Sequence, residues 1–305
     1  MGTTYSLRFV NTRINMHNQS NELLLYNINA ELLNINQVMS TYKNNSSISL
    51  INKSRNTDYL LSKNNLHFIH YVSIKPKFID KCIFSINVNH LVSEWGFNCK
   101  TLKMHTPKIQ NLSDILIEDA FFLNSNNNKH LINKFFHKIS YTLSASAKGY
   151  AVDQIYKISR MSGSSNLLVE IGGEIKSSGL NSFHRLWSLG LLEPHKQNLF
   201  SQYIKLLNIY NTSMASSGTY LNNVYYKHVK YTHIININNG MSINSKIKSI
   251  SVLFPSCMIS DIFGTVLISS NIKKQNVLKN THNNLFISFY LNLNNHMDYF
   301  VREIL

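Results

Sequence analysis

The stretch Asn166–Ile175, NLLVEIGGEI, constrains the fold more than any other in the chain. Its apolar run reads as a buried strand, and the double glycine breaks that strand with a bulge or a bend. Further strands are predicted at Phe121–Phe122, Arg185–Leu192, Tyr231–Ile237, Leu285–Leu293 and Tyr299–Ile304, and at Ser249–Phe254, which ends at Pro255. Leu66–Ile74 alternates loosely. Leu24, Ile28, Leu32, Ile35 and Met39 recur at helical spacing and predict an amphipathic helix over Asn21–Tyr42. Other helices are expected from Pro76 to about Cys82, from the small-residue run Ser144–Ala147 through Tyr150, Ile155 and Ile158, over Ile259–Ser269, and near Ile272–Lys279. Lys43–Asn56 is polar and reads as a loop, Asn98–Gln110 as irregular around Pro107, and Asn124–Asn128 as an exposed turn. Strands and helices alternate without a strict βαβ period. The expectation is therefore an α+β fold with mixed sheets and packed helices, forming one two-lobed unit over residues 1–305 without repeat or linker.

At 305 residues and 44% hydrophobic content, the chain has ample material for a packed core. No apolar run approaches the roughly 18 residues of a membrane-spanning helix. The first residues carry no basic segment followed by a small-residue cleavage site, so no secretory signal is expected there. Cys82, Cys99 and Cys257 form no CxxC pair and supply neither a disulfide framework nor a four-cysteine zinc site. A net charge of +15 raises nucleic-acid binding as a non-enzyme alternative. Against it, lysine outnumbers arginine about fourfold and is scattered, whereas phosphate recognition favours clustered, bidentate arginine. The densest group, Lys227, Lys230, Lys246 and Lys248, spans two predicted strands. With abundant asparagine and isoleucine, this is the composition of an AT-rich genome.

Several constellations carry chemistry. Asp261 and Thr265, four apart in a predicted helix, project oxygens from one face and suit a hard cation such as Mg²⁺, although an Asp near a helix start also serves as a cap or dipole partner. Ser144–Gly149 (SASAKG) offers small side chains and one ammonium for close approach to a phosphate; it lacks Walker spacing, and tight packing is the competing explanation. Glu170 and Glu174 flank the double glycine as a weak acid/base pair. Among thirteen histidines His233 stands out, because an apolar strand is expected to fix it. MGTTYS at the N-terminus also fits the short N-myristoylation pattern.

Taken together, blocks in order along nearly the whole chain resemble the FAD:protein FMN transferases, the ApbE-type flavin transferases. They are MGTTYS (Met1–Ser6), MSTY (Met39–Tyr42), WGF (Trp95–Phe97), SASAKGYAVD (Ser144–Asp153), LVEIGGEIKSSG (Leu168–Gly179), ASSGTY (Ala215–Tyr220), THII (Thr232–Ile235) and PSCMISDIFGT (Pro255–Thr265). The resemblance implies transfer of FMN from FAD to a Thr or Ser hydroxyl of a target protein through a phosphoester, with AMP released. It implies Mg²⁺ held by the Ala145 carbonyl, Asp261 and Thr265. FAD contacts are implied at Met1, Tyr42, Trp95, Gly96, Phe97, Lys148 and Ile235, and at the position of Thr142. His233 is implied as general base or phosphate partner. The implied partner is a flavinylated subunit of a membrane redox pump.

The chain departs from the family pattern at three acidic positions. Thr142 and Asn236 each replace an Asp, and Gly264 stands where some members carry a second metal-proximal Asp. Phe84–Leu91 also departs from the family block. These changes keep two further expectations open, a flavin-binding relative without transferase activity and a FAD pyrophosphatase. Family members are typically exported and often lipid-anchored; an inner-membrane, periplasmic-side location is expected if the N-terminus is truncated, and a cytoplasmic one if it is complete. The MGT block also accounts for the myristoylation pattern.

Overall fold

The computed structural model describes residues 2–10, 18–54, 58–61, 85–97, 122–126, 129–133, 140–192, 203–220, 223–237, 239–243, 247–270, 286–293 and 296–302. In chain order the elements are β1 (Tyr5–Val10), α1 (Asn18–Met39), α2 (Ser47–Lys53), β2 (Asp58–Leu61), α3 (Asn89–Glu94), β3 (Phe122–Asn126), β4 (Lys129–Asn133), α4 (Ala147–Met161), β5 (Asn166–Ile171), β6 (Glu174–Ser178), β7 (Trp187–Leu192), β8 (Tyr203–Ile209), β9 (Ser213–Gly218), β10 (Asn223–Tyr226), β11 (Val229–Thr232), β12 (Ile247–Phe254), α5 (Cys257–Ser269), β13 (Phe286–Leu293) and β14 (His296–Arg302). A seven-stranded sheet in the order β1-β5-β6-β9-β12-β13-β14 organises them, with every neighbouring pair antiparallel. The expected α+β architecture is present.

The double glycine is a hairpin turn. Gly172 and Gly173 both take positive φ, 59° and 96°, so β5 reverses into β6 through two residues, with Ile171 opposite Glu174. Alternation along these strands then builds two cores. Leu167, Val169 and Ile171 face α1, α4 and α5, while Leu168 and Ile175 face the β7–β8 hairpin through Trp187, Leu189, Leu191, Leu207 and Ile209. The helix α5 is buried at every residue from Cys257 to Gly264, because it lies between the sheet and α4.

Helices α4 and α5 cap each other. Neither N-cap, Ser146 or Ser256, bonds its own helix through its side chain. Instead Asp153 of α4 accepts the Cys257 and Met258 N–H groups, each at 3.1 Å, while Asp261 of α5 accepts the Gly149 N–H at 3.1 Å. Each carboxylate therefore satisfies the orphan donors that the other helix leaves at its start. Ser256 Oγ and Lys176 Nζ also donate to Asp153, at 2.8 and 2.6 Å. Asp153→Ala would strand two helix N–H groups and leave the Lys176 ammonium with the Pro255 carbonyl but without this carboxylate. The expected loss is about 2 to 3 kcal/mol, seen as a lower urea midpoint at unchanged m.

Several local expectations need correction. Lys43–Asn56 contains α2: Ser46 caps it through the Ser49 N–H at 3.2 Å, and Ile48 and Ile51 are fully buried. Composition misled there, because tertiary burial of two isoleucines outweighs the polar flanks. The chain at Asn124–Asn126 is strand, not turn. The Tyr231–Ile237 stretch leaves β11 at Thr232, so no strand holds His233. A closed loop takes over, with Thr232 Oγ1 donating to the Ile243 carbonyl at 2.9 Å and the Asn236 N–H to the Met241 carbonyl at 2.8 Å. Leu66–Ile74, the helix from Pro76, Asn98–Gln110 and Ile272–Lys279 lie outside the described residues. Among the described residues no helix is long and apolar enough to cross a membrane.

Candidate active site

Strand β6 docks α4 through two ion pairs of opposite polarity. Glu174 and Lys176 are two apart, so both point to the helix layer, and Ile175 between them points to the other core. Glu174 accepts from Lys148, the second residue of α4, and Lys176 donates to Asp153, five residues further on. Glu170 pairs with Ile175 and so faces away from Glu174. The two glutamates thus lie on opposite faces of the sheet, and a Glu170–Glu174 acid/base pair is excluded.

Lys148, Glu174 and Asp261 form the charged centre. Burial, then the Asp261 carboxylate, pushes Glu174 up to about 8 against the pull of Lys148. Burial likewise raises Asp261 to about 6, opposed by Lys148 and the Gly149 N–H. Burial works to lower the proton affinity of Lys148, but the two carboxylates outweigh it and hold the ammonium above its ordinary value. Fully ionised, two carboxylates face one ammonium, and Glu174 Oε2 is buried with no hydrogen-bond partner among the described residues. In that ionised state the centre carries one uncompensated negative charge, which a proton on Glu174 offsets below about 8 and a bound cation would offset in its place.

The residues expected around a cation fit that reading. Helix α4 begins at Ala147, so the Ala145 carbonyl lies ahead of its first turn. The Gly149 N–H, which i→i−4 bonding would direct to that carbonyl, goes to Asp261 instead. Thr265 follows Asp261 by one turn and is half-buried. Among the described residues no three His, Cys, Asp or Glu side chains converge. A cation here would therefore have a mixed oxygen set, the kind Mg²⁺ accepts.

The aromatic group is built separately. Helix α3 ends in a Schellman turn: Gly96, at φ 82°, donates to the Ser93 carbonyl and Phe97 to the Val92 carbonyl, both at 3.0 Å. Glycine is required there, and Trp95 and Phe97 both pack on one apolar cluster. Trp95 is buried with Leu91 and Ile235, stacks 4.9 Å from Tyr231 and donates Nε1 to the Gly240 carbonyl at 3.0 Å. Phe97 and His233 meet in a T-shaped contact with centroids 6.3 Å apart. The fold thus gathers Trp95, Gly96, Phe97, His233 and Ile235. Asn89 Nδ2 donates to Ser140 Oγ at 2.6 Å and the Thr142 N–H to the Ile86 carbonyl at 2.7 Å, tying this group to the loop that leads into α4. Thr142 itself shares a hydrogen bond with Ser144, 2.8 Å between their hydroxyl oxygens. Tyr42 is 77% exposed, an aromatic face open to a ligand. Met1 lies outside the described residues, but Tyr5 opposite Ile171 brings Thr3 and Thr4 to the Gly172–Gly173 turn, the end of the sheet where Glu174 sits.

Sequence reasoning missed Asp153 and Lys176 and set Glu174 beside the wrong partner. The signal was available in Glu-Ile-Lys at alternate positions of a buried hairpin, since inward charges on a strand require partners in the facing helix.

Comparison with known proteins bears on the family and the fold. The sequence model of the ApbE family matches residues 1–287. A Vibrio cholerae FAD:protein FMN transferase is 27% identical over 269 residues, covering 88% of this chain and 78% of its own. A Haemophilus influenzae protein of the same name is 27% identical over 274 residues, with the same coverage. Among solved structures, the flavin transferase ApbE from Vibrio cholerae superposes with a TM-score of 0.79 at 24% identity, over 99% of this chain and 94% of that one. The apo Pseudomonas stutzeri flavinyl transferase ApbE reaches 0.84 at 19% identity, over 100% and 92%. Those structural likenesses establish the fold, and with a family match that runs through nearly all the described elements, the chain belongs to the ApbE family.

Proposed function

We propose that this chain is an FAD:protein FMN transferase that moves the FMN half of FAD onto a Thr or Ser hydroxyl of a target protein. The names of its relatives support the activity. The observation that carries the reading to this chain is the Lys148–Glu174–Asp261 centre at the start of α4. In the reaction the target oxygen forms a bond to the FMN phosphorus, and the bond from that phosphorus to the bridging oxygen breaks. AMP leaves with that oxygen, and the hydroxyl proton passes to a base, for which His233 is the candidate. Lys148 meets the pyrophosphate, Phe97 and Tyr42 supply apolar surface for the flavin, and the buried Trp95 braces the turn that carries Phe97. Ala145, Asp261 and Thr265 would hold Mg²⁺, which when bound supplies charge neutralisation on the phosphate oxygens. On this reading the target is a subunit of a membrane redox pump.

The test is incubation with FAD, Mg²⁺ and a fusion bearing a Thr flavinylation motif, read as in-gel fluorescence. Expected is a fluorescent, phosphoester-linked product that EDTA abolishes. AMP release that needs no target protein, with no labelled product, would replace the transferase by a FAD pyrophosphatase. FAD binding without either product would leave a flavin-binding relative.

A further inference from the structure

We propose that Glu174 is a positioning residue, holding the Lys148 ammonium at the start of α4 for an incoming diphosphate. The inference rests on the function proposed above. Lysine is poorly suited to its place: residue 148 lies in the first turn of α4, where the helix dipole repels a cation, and that turn contains no acidic residue of its own. Glu174 supplies the missing charge from β6, set at the mouth of the hairpin by the Gly172–Gly173 turn. The two partners differ in exposure, 34% for the Lys148 side chain and 1% for Glu174. A ligand arriving from solvent therefore meets the ammonium first, with the carboxylate behind it. Lys148 has three N–H donors and gives one to Glu174 Oε1, leaving the others to aim outward. Glu174 cannot reach the ligand except through Lys148, so it acts on the reaction by fixing where that charge stands. A purely structural ion pair would satisfy both carboxylate oxygens, yet among the described residues Oε2 has no hydrogen-bond partner.

The experiment, run above pH 8 where Glu174 is ionised, compares Glu174→Gln in the wild-type and Lys148→Met backgrounds, measuring turnover in the transfer assay, FAD affinity by flavin fluorescence, and thermal midpoint. In the wild-type background the amide still fills the site but no longer anchors the ammonium. Turnover should fall about 10- to 100-fold, the scale of a reacting group displaced by an ångström. FAD should bind about 3-fold tighter or more, because an ammonium freed of its carboxylate attracts phosphate more strongly. The midpoint should stay within about 3 °C. In the Lys148→Met background Glu174→Gln should change neither turnover nor affinity by more than about 2-fold. Equal effects in both backgrounds, wild-type turnover in Glu174→Gln, or a joint loss of midpoint, affinity and turnover would overturn the proposal. Wild-type protein that transfers no FMN would sink the proposed function and not the role of Glu174. The affinity arm would then decide alone, since a tightening on Glu174→Gln that persists without Lys148 rules the pairing out.

Discussion

Asp261→Asn should reduce FMN transfer about 1,000-fold or more while leaving the fold intact, because on the proposed function this carboxylate serves the cation as well as the α4–α5 crossing. It is buried, accepts the Gly149 N–H at 3.1 Å and lies close enough to Lys148 and Glu174 to affect the proton affinity of both. Asparagine keeps an oxygen for the Gly149 N–H, so the α4–α5 crossing survives, but it removes the charge that would hold a cation. Wild-type pH behaviour supplies a second measurement. The carboxyl is raised from 3.8 to about 6. The stability linked to its proton is therefore fully present below pH 3.8 and is lost as pH rises through 6. A cation must displace that proton below pH 6, so apparent Mg²⁺ affinity should fall by up to about tenfold per unit as pH drops through that range. Mg²⁺ should accordingly raise the thermal midpoint at pH 8 much more than at pH 5, and in Asp261→Asn it should raise neither. Full transfer by Asp261→Asn at limiting Mg²⁺ would remove Asp261 from the cation site.

The parts of this site legible in the sequence were those written into neighbouring residues. Asp261 and Thr265 share a helix face by spacing alone, and the small-residue run before Lys148 announced a close approach. The α1 stripe of Leu24, Ile28, Ile35 and Met39 is buried as its period requires. What escaped were relations across the fold. Asp153 caps α5 from 104 residues away, and Lys148 reaches Glu174 over 26, contacts that no local pattern encodes. Strand β9, Ser213–Gly218, escaped for another reason: its run of small polar residues has neither β-branched nor alternating character, and it is a strand because β6 and β12 flank it. His233 was placed in a strand because Tyr, Ile and Val dominate its neighbourhood. The Thr232–Ile243 hydrogen bond instead closes a loop that turns the histidine toward Phe97.

Gly149→Ala should destabilise the protein by more than about 3 kcal/mol, the upper end of overpacking effects, although alanine is the better helix former. A Cβ at this position would stand 2.4 Å from the Cys257 carbonyl oxygen and 2.7 Å from the Met258 Cα. Both are backbone atoms of α5, so no rotamer change relieves the overlap and the helices must separate. Separation would lengthen the Gly149–Asp261 and Asp153–Met258 hydrogen bonds together, loosening both reciprocal caps. The same movement would carry Asp261 away from Lys148, so transfer should fall along with the urea midpoint. Gly264 provides the contrast. A Cβ there would meet the Ser217 hydroxyl at 2.6 Å, a side-chain atom that can rotate aside. Gly264→Ala should therefore cost much less than Gly149→Ala. Equal losses from the two alanine variants would show that general crowding, rather than the backbone-to-backbone crossing at Gly149, sets the stability of this centre.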